Sequence, residues 1–550
     1  MTQTSSPTDE LRAAARTLDR RRFLTVSGAA AALAFTTHLP AGDSAASAAT
    51  APRRALDVAT TIDSDPFTLG VASGDPLPDS IALWTRLAPA PFEPDSGMAA
   101  EPVAVAWEIT QDPDFLVPAG SGEVVAYPEF HHAVHVEAGN LLPATTYYYR
   151  FTTGTWTSQV GRTRTAPAAD EMPAQLRFAL VSCQRYDQGY YTAYAHLATE
   201  EGVDAVIHAG DYLYEYAVNS VAGARAYDEE LPDVFNRETE TLEDYRLRYA
   251  LYRSDPDLQA AHAAHPFIVT WDDHEVDNNY AAAVSQDDVP AEEFLVRRAA
   301  AYRAYYENMP LRAPQLPVDA DLQLYRRLRY GRLVQLDILD TRQYRDDQAY
   351  GDGWQLPGPE SDEPDRSLLG ATQERWLTDG LGASEAVWNL IGQQVVVSRR
   401  TNPLEGEGAV SMDAWDGYPA ARQRLLDGVR TAGVDNLVVL TGDVHVHLAF
   451  DIKEDFADQD SRTLGVELVT TSVSSGGDGV ENPENWEAVT EANEHLRFFD
   501  GRRGYLVVTV DEEQLRADFR TLDYVTSPGA TLATAASFVS LAGDPGLTEV

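Results

Sequence analysis

The sequence predicts an α/β protein: a small N-terminal β-sandwich followed by a layered αββα domain. Three observations predict it. Between residues 60 and 168, apolar and polar residues alternate with period two, as in "VAVAWEIT" at 103–110, the pattern of half-buried strands. From 175 to 550, short β-branched runs are separated by helical stretches, which is how stacked α and β layers read in one dimension. Several of those runs end in an acid: "VDAVIHAGD" at Asp211, "HPFIVTWDD" at Asp273 and "VDNLVVLTGD" at Asp443.

The elements follow in chain order. Residues 1–48 read as a twin-arginine signal peptide: "DRRRFLTVSGAAAALAF" places Arg20, Arg21 and Arg22 before Phe23 and Leu24, and Ala46-Ser47-Ala48 offers a cleavage site. The apolar run is too short and too rich in alanine to span a bilayer. We therefore expect a secreted, extracellular or cell-surface protein, exported through the Tat machinery without stable membrane insertion. With one cysteine, Cys183, no internal disulfide is possible.

Residues 60–168 form the sandwich. "HHAVHVEAGNLLPATTYYYRF" contains two strands joined at a Gly-Asn turn, and Leu141, Pro143, Thr145, Tyr147 and Tyr149 follow the spacing of a fibronectin-like strand entered from a proline turn. His131, His132 and His135 have no acid cluster near them in sequence and are expected as exposed strand residues. "RTRTAPAADEMPAQ" reads as a linker. The catalytic domain follows at 175–550, with strands in "LRFALVSCQ", "RLVQLDILD", "VWNLIGQQVVVS" and "GVELVTTSV" and helices in "YYTAYAHLATE" and "EEFLVRRAAAYRAYYENMP".

Charge narrows the function classes. There are 86 acidic against 42 basic residues, a net charge of −44, and Lys453 is the only lysine. Such a surface repels phosphate backbones and anionic lipid, so nucleic acid is not an expected partner. Salt adaptation explains the excess acid; a GC-rich genome explains the missing lysine.

The stretch "IVTWDDHEVDNNY", from Ile268 to Tyr280, runs from an apolar strand into a crowd of acids around His274. Carboxylates that close repel unless something positive lies among them. The C-terminal ends of strands in one layered domain converge, so Asp211, Asp273 and Asp443 should meet, with His445 beside them. Carboxylates favour hard cations, while imidazole and thiolate admit a transition metal. A metal site is the expectation. Hydrolysis of a phosphate ester suits it, since that reaction needs charge neutralisation and an in-line nucleophile. His274 is the candidate to contact or protonate the leaving oxygen, or else a hydrogen-bond partner of an acid. Arg297 or Arg298 is the candidate phosphate clamp.

The ordered motifs "SCQ", "HAGDYLYEY", "WDDHEVDNN", "RRAAAYRAYYENMP", "TGDVH" and "TSVSSGGDG" resemble the alkaline phosphatase D (PhoD-like) family of calcineurin-like metallophosphoesterases, and "FTLGVASGDPLPDSIALWTRLAP" resembles that family's N-terminal β-domain. The resemblance implies ferric iron, Fe(3+), with calcium, Ca(2+). Carried over position by position, Cys183, Asp211, Tyr214 and His445 would hold iron, with Asp211 bridging to calcium. Asp443, with Asp273 or Asn278, would complete the site. It implies a secreted hydrolase using a metal-bound hydroxide to release phosphate from monoesters. A phospholipase D-type phosphodiesterase is the first alternative, and a non-catalytic, metal-stabilised binding protein the second.

The charge makes one prediction. A net charge of −44 repels itself in the compact state, and salt screens that repulsion. The melting temperature should rise in molar sodium or potassium chloride; a flat or falling dependence would favour codon bias as the origin of the composition.

Overall fold

The computed structural model describes residues 62–218, Arg225 and residues 231–550; the signal-peptide expectation lies outside them. Two sheets face one another. The first has ten strands, in the spatial order Asp544–Glu549, Leu532–Leu541, Gln514–Leu522, Gly504–Val510, Leu176–Val181, Ala205–His208, Pro266–Val269, Val71–Leu77, Ser80–Arg86 and Ala133–Gly139. The second has seven, in the order Arg326–Tyr330, Val334–Ile338, Trp388–Gly392, Leu437–Thr441, Thr463–Val469, His447–Lys453 and Leu496–Asp500.

Period-two alternation explains the layering. On the strand Leu176–Val181, Leu176, Phe178 and Leu180 join Leu336, Leu390, Val438 and Leu468 in the core between the sheets. Ala179 and Val181 face the other way, toward Leu247 and Leu251 of the helix Leu242–Arg253 and Tyr302 and Tyr305 of the helix Ala291–Asn308. On the second sheet Ile391 and Val439 face out toward Leu377 of the helix Gly370–Gly382 and Leu425 of Pro419–Ala432. Helix, sheet, sheet, helix is the expected αββα order, each layer burying one face.

The N-terminal region departs from a free-standing sandwich. Val103–Thr110, Pro118–Ala126 and Thr146–Thr153 belong to a small five-stranded sheet. Its partner layer is Val71–Leu77, Ser80–Arg86 and Ala133–Gly139, and these strands also continue the ten-stranded sheet. Ser73 and Gly74 pair in parallel with Pro266 and Phe267. Side chains reinforce the seam: Arg312 donates to the Asp75 carbonyl at 2.8 and 3.0 Å, Trp84 Nε1 to the Glu307 carbonyl at 2.9 Å and Arg86 to Asn308 Oδ1 at 2.8 Å. Gly74 is where the backbones come closest, since a Cβ there would lie 2.4 Å from the Pro310 carbonyl oxygen.

The three histidines of this region are buried, not exposed. His131 and His132 lie in a turn with positive φ, and His135 in the strand Ala133–Gly139. Each ring is held by a polar partner: His131 Nε2 lies 3.0 Å from Ser96 Oγ, His132 Nε2 3.0 Å from the Glu101 carbonyl and His135 Nε2 3.0 Å from the Tyr306 carbonyl. Sequence spacing could not show these partners, which come from distant segments.

Because the first sheet runs across both regions, the full chain should unfold in a single calorimetric transition. Residues 175–550 expressed alone would bare the Pro266–Val269 edge and should aggregate. Two resolved transitions would show that the halves fold independently.

Candidate metal centre

Strand ends build the site. Leu176–Val181 leads into Ser182 and Cys183, Ala205–His208 into Gly210 and Asp211, Pro266–Val269 into Asp272 and Asp273, and Leu437–Thr441 into Gly442 and Asp443. The first three strands are neighbours in one sheet and the fourth lies in the facing sheet, so their C-terminal ends converge. The glycine of the first "GD" is required by packing. At φ +109, a Cβ on Gly210 would lie 2.5 Å from Asp272 Cβ.

Beyond the strands the backbone turns sharply. Cys183, Asp211, Asp443 and His445 have φ of 58, 57, 67 and 56°, the left-handed region that costs a non-glycine residue roughly 1–2 kcal/mol. Cross-strand amides over-determine it: Cys183 N–H donates to the Gly210 carbonyl and Gln184 N–H to that of Asp211, both at 3.1 Å.

Two groups of ligand atoms result. Cys183, Asp211 and His445 form one; Asp211, Asp273 and His274 form the other; within each, the atoms lie within 4.8 Å of one another. Asp211 belongs to both. Tyr214 Oη is 2.9 Å from Asp211 Oδ2, 3.0 Å from His445 Nε2 and 2.8 Å from Ser475 Oγ. Oδ1 of Asp211 and Oδ1 of Asp273 are buried without a hydrogen bond, which is costly unless a further partner sits there.

The electrostatics ask for that partner to be positive. Burial, then the Asp211 charge, pushes the Cys183 thiol far above its usual range, and the same two causes push up the Tyr214 phenol. Burial raises the Asp211 carboxyl well above the ordinary range, with Asp273 and Glu275 adding to it. Burial, with Asp413 and Asp273, pushes Asp443 up to about 7. Four groups that form good anionic ligands are thus shifted toward their neutral forms for want of a counter-charge, and a bound cation would reverse each shift. The thiolate, phenolate, imidazole and carboxylate donors fit a metal centre.

A surrounding layer fixes these groups. The Glu275 carboxylate accepts the backbone N–H groups of Asp211 at 3.1 Å, Tyr212 at 2.7 Å and Asp272 at 2.9 Å. Glu215 holds His274 Nδ1 at 2.8 Å and accepts the Asn278 N–H at 2.9 Å. Burial alone would lower His274, but the Glu215, Asp273 and Asp211 carboxylates raise it well above its ordinary value. Beneath, the fully buried Arg342 donates to Asp272, donates both terminal nitrogens to Asp413 at 2.7 and 2.9 Å, and lies 3.5 Å from Asp273. Arg342 and His274 together outweigh burial and hold Asp273 below the usual carboxylate range.

The structure therefore brings together Cys183, Asp211, Tyr214, Asp273, His274 and His445, with Asp443 half-buried at the mouth. Asn278 is adjacent and half-buried, and its side chain makes no hydrogen bond among the described residues. Arg297 and Arg298 are not brought in. Arg297 is spent on Glu238 at 2.8 Å, Asp277 at 3.2 Å and the Tyr245 hydroxyl at 3.0 Å. Arg298 donates to the Ala282 carbonyl at 2.5 Å and lies 3.6 Å from Asp321. Being consecutive on the helix Ala291–Asn308, the two point in different directions, and the sequence does not say what either meets. Sequence reasoning missed Glu275, Glu215, Arg342, Asp413 and Ser475. Glu275 and Glu215 were within reach, since each sits inside a motif singled out for its neighbours.

Comparison with known proteins places the chain in a family. Residues 178–519 fit the family model described as PhoD-like phosphatase, and residues 49–167 fit its N-terminal domain. The chain belongs to the PhoD-like phosphatase family. Alkaline phosphatase D of Bacillus subtilis (strain 168) is 45% identical over 538 residues, spanning 97% of this chain and 89% of that one. The solved structure of PhoD superposes with a TM-score of 0.86 at 47% identity, covering 90% of this chain and 93% of that one. As a PhoD-like phosphatase the chain is a phosphate-ester hydrolase of a metal-dependent family. Among the described residues no helix is long and apolar enough to cross a membrane.

Glu275 gives the test of the layer around the metal-site side chains. Replacing it by glutamine removes the charge and turns a donor toward amides that need an acceptor. Glu275→Gln should cost at least about 1 kcal/mol of stability and weaken metal retention roughly 10-fold or more. Equilibrium unfolding and metal analysis check both; unchanged values would make Glu275 a bystander.

Proposed function

We propose that this PhoD-like phosphatase is exported by the twin-arginine route and hydrolyses phosphate monoesters and diesters. We further propose that Cys183, Asp211, Tyr214 and His445 hold Fe(3+), and that Asp211, Asp273, Asn278 and Asp443 hold Ca(2+). The observation that carries the reading is Asp211: it is common to both ligand groups and keeps one buried oxygen without a hydrogen bond. When bound, the cations supply charge to the phosphoryl oxygens and acidify water at the site. The set sorts by chemistry, with thiolate, phenolate and imidazole suited to iron and carboxylate and amide oxygens to calcium. The arginine pair "RRRFL" supports the export route.

The chain's own groups do the rest. Asp211 and Asp273 arrange the charge that receives the phosphoryl group. His274 has Nδ1 fixed on Glu215, which leaves Nε2 free to give a proton to the leaving oxygen. The Tyr214 ring packs against His274, centroids 4.1 Å apart, and holds the imidazole in that orientation.

The experiment combines metal analysis with a visible spectrum. Iron held by Cys183 and Tyr214 should colour the protein. Tyr214→Phe keeps the ring and removes the oxygen, so the band should shift or vanish while the fold is kept. Cys183→Ser should lower iron content. A calcium chelator should abolish hydrolysis of a chromogenic monoester, and added calcium should restore it. Zinc as the sole stoichiometric metal, or variants with unchanged spectra, would overturn the ligand assignment.

A further inference from the structure

Phosphate is an anion, and the chain carries a net charge of −44, so a local cation is needed to receive the substrate. The arginines around the site are mostly spent. Arg342 is sealed between Asp272 and Asp413, Arg185 is paired with Asp187 at 3.0 Å, and Arg503 donates to the carbonyls of Gly476, Gly477 and His445.

Arg400 differs. It is half-buried, and its guanidinium makes no ion pair and no side-chain hydrogen bond among the described residues. Its position is fixed. The segment 393–400 leaves the strand Trp388–Gly392 alongside the Asp443 loop, where Gly442 N–H donates to the Gln394 carbonyl at 3.0 Å. Val396 packs in one cluster with Val444 and Val446 on either side of His445. Glu467 accepts the N–H groups of Val397 and Ser398 at 2.8 and 2.7 Å, and Asp416 accepts that of Arg400 at 2.8 Å. The guanidinium lies over the Trp354 ring, 5.0 Å from its centroid. Burial lowers its pKa, and the Asp443, Asp416 and Glu467 carboxylates, in falling order of effect, oppose that.

We propose that Arg400, shelved on the face of Trp354, binds a non-bridging oxygen of the phosphate ester beside Asp443. A planar guanidinium offers parallel N–H donors matched to phosphate oxygens. An aromatic shelf holds such a group without spending its hydrogen bonds, so the donors remain available at the mouth of the site. The assignment rests on the hydrolase reading and replaces Arg297 and Arg298 in the clamp.

Inorganic phosphate is the probe, titrated calorimetrically into metal-loaded protein, so that binding is read apart from turnover. Arg400→Ala should weaken phosphate binding, and raise KM for a monoester, roughly 10- to 100-fold, as expected for loss of a charged hydrogen bond. Metal content should stay unchanged. Guanidinium chloride at millimolar concentration should restore part of the binding, which a purely structural role would not allow. Arg400→Lys should fall between, Trp354→Ala should weaken binding less than Arg400→Ala, and Arg399→Ala should match the parent. Unchanged phosphate affinity in Arg400→Ala, or a loss that follows lost metal, overturns the inference. Absence of turnover in the parent, with phosphate binding that depends on Arg400, would instead fail the hydrolase reading and leave this one standing.

Discussion

One buried carboxylate ties the site together. Glu275 takes three backbone amides from two separate strand-end loops, those of Asp211 and Tyr212 on one and Asp272 on the other. Without it those amides would face no acceptor inside the protein, where an unmade hydrogen bond costs more than a made one gains. Its own ionisation balances on that contact: burial pushes Glu275 up to about 7 while the amides pull it back. Three groups of the site adjoin this knot. Asp211 projects from a loop it anchors, Asp273 follows Asp272 directly, and His274 precedes Glu275 itself.

The same region distributes charge in depth. At the base, Arg342 and Asp413 form a bidentate pair, with Arg345 3.1 Å from the same carboxylate. Above them lies the layer of Asp273 and Asp211, and above that the half-buried Asp443 and His445. Negative charge thus rises toward the mouth while its compensation is fixed below. The upper layer is left under-neutralised, with one buried Asp211 oxygen that has no hydrogen bond. A protein with no ion to hold would gain by replacing one of those acids with an apolar residue.

Much of this was legible in the sequence because it depends on periodicity and on strand ends. "LRFALV" read as a strand, and the acids after β-branched runs marked Asp211, Asp273 and Asp443 as convergent. What remained hidden depends on long-range register. That Val71–Leu77 pairs with Pro266–Val269 leaves no mark on either segment, so the sandwich read as a separate unit. The histidines at 131, 132 and 135 read as exposed because their hydrogen-bond partners, Ser96, Glu101 and Tyr306, lie elsewhere in the chain. Arg297 and Arg298 were misread for a similar reason: a helix fixes which residues share a face, while its packing decides what that face meets.

The order of strands in the large sheet has a consequence for how the chain comes together. Its centre is made of Leu176–Val181, Ala205–His208 and Pro266–Val269, while one flank comes from the earliest described residues and the other from the last. Ser73 pairs with Leu83 in the first hairpin, but the other edge of its strand has no partner until Pro266 has been synthesised, and Leu180 meets Leu506 almost at the end of translation. A ribosome therefore releases a first hairpin that must wait, with its open edge shielded, for a partner made much later. Contacts of such sequence separation slow folding, and an unpaired edge invites association in the interval. A net charge of −44 would keep like-charged nascent chains at a distance from one another until the last strand closes the sheet.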